Sequence, residues 1–236
     1  DKVYYHLHNE VTNDFGCKHE IVQVKKVLGV SNYIVETLDK FLREHGEGGL
    51  KPEQKAVWRN GVDTSRFGSD EAKHKAKDFR AKYEIGDDDI VFLFSGRLTP
   101  EKGAEELLEA FTQVAAQVPN AKLVIAGAFF FNSNIKSPFE QKLHDLASQP
   151  QVEGKIVFTG FVDYNDMPAL YEMADICVSP SIWDDPAPLA VIESLVSGKP
   201  LITTRSGGIP EYANDDCAII LERDSKLVEH LAQAMV

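Results

Sequence analysis

The larger, later part of the chain alternates short apolar runs with longer amphipathic segments. The apolar runs occupy residues 90–94, 122–126, 155–158, 176–179, 201–204 and 218–221. Apolar residues at helical spacing follow them at 104–117, 139–148, 167–174, 188–196 and 209–213, with a last helix after residue 221. Continuous apolar strands separated by amphipathic helices are typical of βαβ units, whose parallel sheet is buried on both faces. The pattern therefore predicts an α/β fold with a Rossmann-like parallel sheet.

The first sixty residues contain shorter apolar runs between polar stretches. The pattern predicts strands at 3–7, 27–30 and 56–58, and a helix at 31–43 with Ser31 or Asn32 as its N-cap. Asn60-Gly61-Val62-Asp63 is a turn signal, and we place a domain boundary there. We therefore expect a partial second α/β domain at residues 1–62 and the main domain at 63–236.

Composition narrows the function classes. The chain of 236 residues has a formal net charge of −12, which argues against non-specific binding to nucleic acid because such binding needs a basic surface. Three cysteines without a CxxC pair argue against a disulfide framework and against a zinc site as the basis of the fold. No apolar stretch approaches the roughly 20 residues of a membrane span, and we expect a cytoplasmic protein.

Three loops that follow predicted strands contain the candidate chemistry. In the loop before residue 104, Gly96 permits close backbone approach, and Arg97 and Lys102 place two cations beside a helix N-terminus. Free amides at a helix N-terminus favour an anion, so a shared anion such as a diphosphate would explain the two cations. The alternative is that both are surface residues paired with Glu101 or Glu105.

The second loop leads into the helix predicted at 188–196. Asp185 lies before this helix and Glu193 lies between one and two turns inside it, so two carboxylates flank the free amides of Leu189 and Ala190. Carboxylates in this position could accept hydrogen bonds from sugar hydroxyls. The alternative is that Asp185 caps the helix and Glu193 is an ordinary surface residue.

The third loop has adjacent glycines, Gly207 and Gly208, before a short predicted helix. Two glycines permit a ligand to approach the backbone closely or allow unusual backbone angles. The alternative for this loop is a simple tight turn. Because parallel strands bind ligands beyond their carboxyl ends, we expect all three loops to meet at one site.

Together these loops resemble the retaining glycosyltransferases of family 4, which have the GT-B fold of two Rossmann-like domains facing a cleft. Three spaced motifs carry the likeness: Gly96-Arg97-x4-Lys102-Gly103, Asp185-x7-Glu193 and Gly207-Gly208-x2-Glu211. Shorter segments extend it over nearly the whole chain in family order: Val30-Ser31-Asn32, Asn60-Gly61-Val62-Asp63, residues 123–127, Phe158-Thr159-Gly160-Phe161 and Ala174-Asp175. The resemblance implies a C-terminal nucleotide-sugar-binding domain preceded by the tail of the N-terminal, acceptor-side domain.

The resemblance also implies a role for each site residue. Arg97 and Lys102 would hold the diphosphate of the donor and stabilise it as a leaving group. Glu193 would bind the ribose hydroxyls, and Asp185 would contact hydroxyls of the transferred sugar. The backbone amides that follow Asp185, and the glycines of the first and third loops, would approach the donor closely.

Two further positions bear on the chemistry of transfer. His8 matches a family histidine that lies near the reacting sugar, and the alternative is a structural histidine beside His6. Asp185 departs from the family pattern, which normally has Glu at both ends of the x7 spacing. The shorter carboxylate keeps the charge but changes its reach, which bears on the choice of sugar more than on the reaction class.

The implied reaction is the transfer of a sugar from a nucleotide-diphosphate sugar, most commonly a UDP-sugar, to a hydroxyl with retention of anomeric configuration. The acceptor would be a sugar, a polysaccharide or a lipid-linked glycan in surface polysaccharide or glycolipid synthesis. The location would be the cytoplasm or the inner face of the cell membrane, with membrane contact through the N-terminal domain. We predict no cofactor and no metal, because the cations neutralise the diphosphate and no His or Cys cluster has metal spacing.

The chain starts within a strand pattern at Asp1 and stops within helical periodicity at Val236. We therefore expect a piece of a longer polypeptide that binds nucleotide with little or no turnover.

Other functions share parts of this pattern. An NAD-dependent oxidoreductase would need GxGxxG directly after a strand, and Gly96 and Gly103 do not form it. A sugar-nucleotide epimerase uses a similar two-domain scaffold without an acceptor. A non-catalytic binding module would keep the donor site and lack the chemistry. The last two alternatives stay open at the level of sequence.

Overall fold

The computed structural model describes residues 3–13, 16–128 and 137–236, and its first part contains a small parallel sheet. This sheet has the order β1-β2-β3, with β1 at Tyr4–Leu7, β2 at Lys26–Gly29 and β3 at Lys55–Val57. A short helix α1 (Lys18–Ile21) precedes β2, and a longer helix α2 (Asn32–Glu44) follows it.

Helix α2 forms where the apolar spacing predicts it and covers the small sheet. Ile34, Val35, Leu38 and Leu42 are buried against a core that includes Leu7 and Val27 of the strands. The Ser31 side chain accepts a hydrogen bond from the Ile34 amide at 3.3 Å, which confirms Ser31 as the N-cap.

The larger sheet contains six parallel strands in the order β6-β5-β4-β7-β8-β9. Their bounds are β4 Ile90–Ser95, β5 Ala121–Ala126, β6 Ile156–Gly160, β7 Ile176–Ser179, β8 Leu201–Thr204 and β9 Ile219–Leu221. The order reverses between the adjacent strands β4 and β7, so the connections leave these two strands in opposite directions. This reversal is the position at which open parallel sheets bind ligands.

Helices cover both faces of the larger sheet. They are α3 (Asp70–Lys82), α4 (Ala104–Gln117), α5 (Pro138–Ala147), α6 (Met167–Met173), α7 (Leu189–Val196) and α8 (Leu227–Met235). Phe92 and Phe94 of β4 pack in one core with residues of α4, α5 and α8, whereas Val91 and Leu93 pack in the opposite core with residues of α3, α6 and α7. The alternation of side chains along β4 explains its continuous apolar sequence, because both faces are buried. The predicted fold class is confirmed.

Several local features differ from the sequence-based expectation. Val3, Val30 and Trp58 lie just outside the strands predicted to contain them, and the short helix α1 was not predicted. The helix expected at 209–213 is a single 3-10 turn, Ile209–Glu211. Neither that turn nor α1 reaches the length at which amphipathic periodicity becomes readable.

The segment that links the two sheets begins with residues 58–63, which have neither helix nor strand, and continues through a 3-10 turn at Thr64–Arg66 and helix α3 to β4. The boundary at residues 62 and 63 stays a prediction, although the two sheets lie on opposite sides of it along the chain. In the part of the chain that the structure describes, no helix is both long enough and apolar enough to cross a bilayer.

Candidate functional site

The three candidate loops meet at the carboxyl edge of the larger sheet, around the strand reversal. The first loop leaves β4, the second leaves β7 beside it, and the third leaves β8. Backbone hydrogen bonds tie the loops together: the Ile182 amide donates to the Glu101 carbonyl at 3.0 Å, and the Gly208 amide donates to the Asp185 carbonyl at 2.9 Å. Residues far apart in sequence therefore form one surface.

A cavity of about 300 Å³ lies at this surface. Five of the predicted donor-binding residues line it: Gly96, Arg97, Leu189, Ala190 and Glu193. The remaining lining residues are Ser95, Ala126, Gly127, Ala128, Phe161, Val162, Tyr164 and Met167. The wall thus contains a cation and a carboxylate, and much of the rest is apolar, which is typical of small-molecule sites.

Glu193 is the buried acid of this cavity, with 5% of its surface exposed. The Tyr171 hydroxyl donates to its Oε2 at 2.9 Å, and the same hydroxyl lies 2.6 Å from the Ser95 Oγ. Burial raises the pKa of Glu193 above its ordinary value, against the lowering effects of the Tyr171 hydrogen bond and the positive charge of Arg66. The alternative of an ordinary surface glutamate is wrong.

Lys102 of the first loop and Asp185 of the second loop form an ion pair, and neither of them lines the cavity. Their side chains are only 21% and 8% exposed, although they are 83 residues apart in sequence. Two alternatives from the sequence are wrong. Glu105 pairs with Lys142 rather than with Lys102, and the Asp185 carboxylate pairs with Lys102 while α7 begins without a side-chain cap. The pair places one cation and one carboxylate at the loop that enters α7.

Arg97 differs from Lys102 because its side chain is exposed. It lies in the wall of the cavity that also contains Glu193. Because Arg97 is exposed, its guanidinium is available to an anionic group of a ligand. The buried Glu193 is available to hydroxyl groups of the same ligand.

The space around residues 207 and 208 has no room for a side chain, so both positions require glycine. Gly207 has φ +50, and a Cβ there would lie 2.4 Å from the Asp185 carbonyl oxygen. A Cβ on Gly208 would lie 2.0 Å from the Pro186 carbonyl oxygen and 2.7 Å from the Ser31 Oγ. The glycines therefore allow the third loop to pack directly against the second loop and against the start of α2, rather than forming an isolated tight turn.

His8 lies just after β1, is exposed, and is 3.3 Å from His6 through their ring nitrogens. It lines a different and larger cavity, of about 1300 Å³, formed by residues of β1, the segment after it, and α1 with its flanking residues. The structure does not bring His8 to the cavity that contains Glu193, and its catalytic role stays a prediction.

Several residues of the site had no signal in the sequence. Tyr171 anchors Glu193 from α6, and Arg66 lies 4.7 Å over the ring of Tyr164, a half-exposed aromatic in the cavity wall. Asp184 accepts hydrogen bonds from the Gly207 amide at 3.0 Å and from Arg223 at 2.5 Å. Each contact joins elements that are distant in sequence, so only the folded chain reveals it.

The arrangement suits a ligand with three chemically different parts. The apolar wall around Phe161, Tyr164 and Met167 can accept a flat ring, and Glu193 can accept hydrogen bonds from hydroxyls. The exposed Arg97 and the Lys102 side chain can bind a group with negative charge. Across the residues that the structure describes, no cluster of three or more His, Cys, Asp or Glu side chains could hold a metal ion.

Comparison with known proteins identifies the family. The family model of glycosyl transferases group 1 matches residues 75–235. Among curated relatives, YtcC of Bacillus subtilis (strain 168), assigned provisionally to the glycosyltransferases, is 31% identical over 223 residues, which cover 91% of this chain and 53% of YtcC. A GDP-mannose-dependent alpha-(1-6)-phosphatidylinositol monomannoside mannosyltransferase of Mycolicibacterium smegmatis is 31% identical over 162 residues, covering 66% of this chain and 39% of that protein. The chain thus spans about half the length of such relatives or less.

A solved structure shows the same fold over nearly the whole chain. The HepE protein of Anabaena, in complex with UDP-glucose, superposes with a TM-score of 0.76 at 20% identity, covering 99% of this chain and 61% of HepE. The family match, the parallel sheets with helices on both faces and this superposition agree with one another. The chain belongs to the glycosyl transferases group 1 family and has the GT-B fold.

Proposed function

We propose that this chain is the donor-binding part of a glycosyltransferase that moves a sugar from a nucleotide-diphosphate sugar to a hydroxyl group with retention of anomeric configuration. The observation that carries the proposal is that Arg97 and the buried Glu193 line one cavity, while the Lys102–Asp185 pair joins the first and second loops. A buried acid that accepts hydrogen bonds and two neighbouring cations match the ribose and the diphosphate of such a donor.

Each part of the donor has a matching surface. The nucleobase would lie against the wall formed by Phe161, Val162, Tyr164 and Met167, and the ribose hydroxyls would donate to Glu193. The backbone amides at the start of α7 would face the diphosphate, because the first amides of a helix have no partner within the helix.

The catalytic contribution of these groups is electrostatic. When the bond between sugar and diphosphate breaks, negative charge grows on the leaving diphosphate. Arg97 and Lys102 stabilise this charge more in the transition state than in the ground state, which lowers the barrier. Asp185 would hold hydroxyls of the transferred sugar and fix its orientation.

The ion pair between Lys102 and Asp185 has a direct consequence for donor binding. Lys102 cannot place its full charge on a diphosphate while Asp185 is its closest partner. Donor binding therefore separates the ion pair. A phosphate group replaces Asp185 as the partner of Lys102, and the sugar hydroxyls replace Lys102 as the partners of Asp185. Both charges are then satisfied by the same molecule.

Relatives support a nucleotide-sugar donor and differ in its base. HepE was solved with UDP-glucose, whereas the mycobacterial relatives are GDP-mannose-dependent. We propose a UDP-sugar. A lipopolysaccharide 1,2-N-acetylglucosaminetransferase of Salmonella typhimurium is 27% identical over 177 residues, 75% of this chain and 45% of that enzyme, which supports a role in surface polysaccharide or glycolipid synthesis. Location in the cytoplasm and contact with the membrane through an N-terminal domain stay predictions.

A panel of donors tests the binding step. UDP-, GDP- and ADP-sugars are added separately to the chain, and the melting temperature is measured, because a ligand that binds only the native state raises it. We expect the UDP-sugar to give the largest rise, and the Glu193→Gln variant to lose that rise. No rise with any nucleotide sugar contradicts the proposal.

Product analysis of the full-length protein separates the remaining alternatives. Transfer with retention gives a glycoside whose anomeric proton has the configuration of the donor, measured by NMR. An epimerase converts the nucleotide sugar without any acceptor, and a binding module leaves it unchanged. Either result overturns the transferase assignment while leaving donor binding intact.

A further inference from the structure

Two residues directly after the third loop lie between the two sheets. Glu211 ends the 3-10 turn that follows Gly207 and Gly208, and Tyr212 comes next. Their side chains contact residues near α2 and near the segment that links the sheets. We call Glu211 and Tyr212 the latch.

The Glu211 carboxylate caps α2, the helix that packs on the small sheet. Its Oε2 accepts from the Asn32 amide and from the Asn32 side-chain nitrogen, both at 2.8 Å, and its Oε1 accepts from the Tyr33 amide at 2.7 Å. These amides belong to the first turn of α2, where backbone N–H groups have no partner inside the helix and the helix dipole favours negative charge. Both carboxylate oxygens are therefore used to hold α2 from a position 179 residues away in sequence.

The Tyr212 hydroxyl makes a second connection between the sheets. It accepts from the Asn60 amide at 3.3 Å and donates to the Val30 carbonyl at 2.5 Å. The ring packs against the cores of both sheets, and the guanidinium of Arg59 lies 5.8 Å over it.

The latch is joined to the donor site by direct contacts between the third and second loops. The Gly208 amide donates to the Asp185 carbonyl at 2.9 Å, and the space for a Cβ on Gly208 is filled by atoms of Pro186 and Ser31. The same second loop is held from the linking segment, because the Asn60 side chain donates to the Ala187 carbonyl at 3.2 Å. A shift of Glu211 away from α2 would therefore move Gly208, and with it the backbone of Asp185.

We propose that Glu211 and Tyr212 are positioning residues that hold the Gly207–Gly208 turn and the Asp185 loop in the donor-binding geometry by anchoring them to α2. This inference rests on the proposed function, because it assumes that a nucleotide sugar binds at these loops. Its consequence is a coupling between sites: donor binding at the larger sheet stabilises the start of α2 in the small sheet, and a weaker hold on α2 weakens donor binding.

The first test measures UDP-glucose affinity by calorimetry in the unaltered chain and in Glu211→Gln. A glutamine keeps the shape but has one acceptor oxygen and no charge, so it cannot hold both amides of α2. We expect the dissociation constant to rise by about five- to tenfold. Tyr212→Phe, which removes only the hydroxyl, is expected to weaken binding in the same direction, and a melting curve of each variant shows that it is folded.

A matched control separates positioning from general loss of stability. Ser137 accepts from the Glu140 amide at 3.1 Å as the N-cap of α5 and makes no contact with the latch. Ser137→Ala therefore removes one helix cap elsewhere. We expect a lower melting temperature with unchanged affinity for UDP-glucose. Equal losses of affinity in Ser137→Ala and Glu211→Gln would reduce the latch to a stabilising contact and overturn the proposal.

The second test measures the effect of donor binding on the start of α2, by hydrogen exchange at the Asn32 and Tyr33 amides. These amides lie outside the donor cavity, and saturating UDP-glucose is expected to slow their exchange in the unaltered chain and not in Glu211→Gln. Unchanged exchange in the unaltered chain, with UDP-glucose bound, overturns the coupling and leaves donor binding intact. Failure of the unaltered chain to bind any nucleotide sugar contradicts the proposed function instead.

Discussion

Burial opposes the ionisation of Glu193, whereas two neighbouring groups favour it. Its side chain is almost completely buried, and burial raises its pKa, yet the Tyr171 hydroxyl and the charge of Arg66 favour the ionised form. A carboxylate kept in such a position at a cost to stability is expected to be there for a ligand.

Replacing Glu193 with glutamine should therefore change binding and stability in opposite directions. The variant loses charge-assisted hydrogen bonds worth about 1.5–3 kcal/mol each, so we expect the dissociation constant of UDP-glucose to rise by about ten- to a hundredfold. The melting temperature should stay the same or rise, because the buried charge is gone. Glu109→Gln, on the exposed side of α4, is the control and should leave both values unchanged. Unaltered affinity in Glu193→Gln would remove the ribose contact from the proposal.

The raised pKa of Glu193 also predicts how affinity depends on pH. A carboxyl group whose pKa is raised in the folded state stabilises the fold in its protonated form. This contribution is fully present when the pH is below the ordinary pKa of 4.5, and it is lost as the pH rises through the folded-state pKa. Ribose hydroxyls need the ionised form, so affinity for UDP-glucose should increase over the same rise in pH. Calorimetry between about pH 5 and about pH 7.5 measures this increase. Glu193→Gln should give a flatter profile, and equal slopes would assign the titration to another group.

The ion pair between Lys102 and Asp185 predicts different effects on free nucleotide and on donor. Asp185→Asn removes the partner that competes for Lys102, so UDP should bind more tightly, by about threefold or more. Sugar transfer by the full-length protein should fall at least about a hundredfold, because the sugar loses a charged hydrogen-bond acceptor. The two measurements are calorimetry with UDP and a transfer assay. Weaker UDP binding in Asp185→Asn would mean that Asp185 orders Lys102 rather than competing for it.

Residues could be selected from the sequence when they follow a strand and open a helix. Arg97 and Glu193 were found in this way, and the structure brings them to one cavity. Tyr171 could not be found, because its role depends on the packing of α6 against α7 and its sequence position resembles that of any buried aromatic residue. The partner of Lys102 could not be chosen either, since Glu105 was nearer in sequence and the fold supplies Asp185 instead.

Helices and strands followed the sequence most closely where burial was complete or periodicity was long. Helix α4 has the predicted bounds, because its two sides differ strongly in polarity over four turns. Strand β7 also has the predicted bounds. The turn Ile209–Glu211 is shorter than expected, and its side chains point to different partners: Ile209 packs in a core of the larger sheet, whereas Glu211 hydrogen bonds to α2.

Close packing of loops between elements leads to a prediction at Gly208. A methyl group there would lie 2.0 Å from the Pro186 carbonyl oxygen, a backbone atom that cannot move independently of its loop. We expect Gly208→Ala to lower the free energy of unfolding by about 1–3 kcal/mol and to weaken UDP-glucose binding, as measured by urea unfolding and calorimetry. Gly48→Ala is the control, because a Cβ on Gly48 meets nothing within 4 Å. Normal affinity in Gly208→Ala would show that the third loop adapts without disturbing the second.

At the scale of the whole molecule, the two sheets are joined by more than the connecting segment. Glu211 and Tyr212 reach α2 and residues 30 and 60, and Ala187 of the second loop packs in the core of the small sheet. The sequence motif that contains Glu211 could be recognised without showing this function, because its partners Asn32 and Tyr33 are 179 and 178 residues away. Contacts between domains are set by side chains that have no periodic pattern.

The charge distribution of the whole chain leads to the last prediction. A net charge of −12 opposes the approach of an anionic donor, so the local cations must supply the attraction. Arg97 and Lys102 can supply it without a metal, and we expect UDP-glucose affinity to be unchanged by excess EDTA. In Arg97→Ala the affinity should fall by about tenfold or more, and added Mg²⁺ should not restore it. A loss of binding in EDTA that Mg²⁺ restores would show that a metal shares the diphosphate, and the role proposed for the two cations would then be wrong.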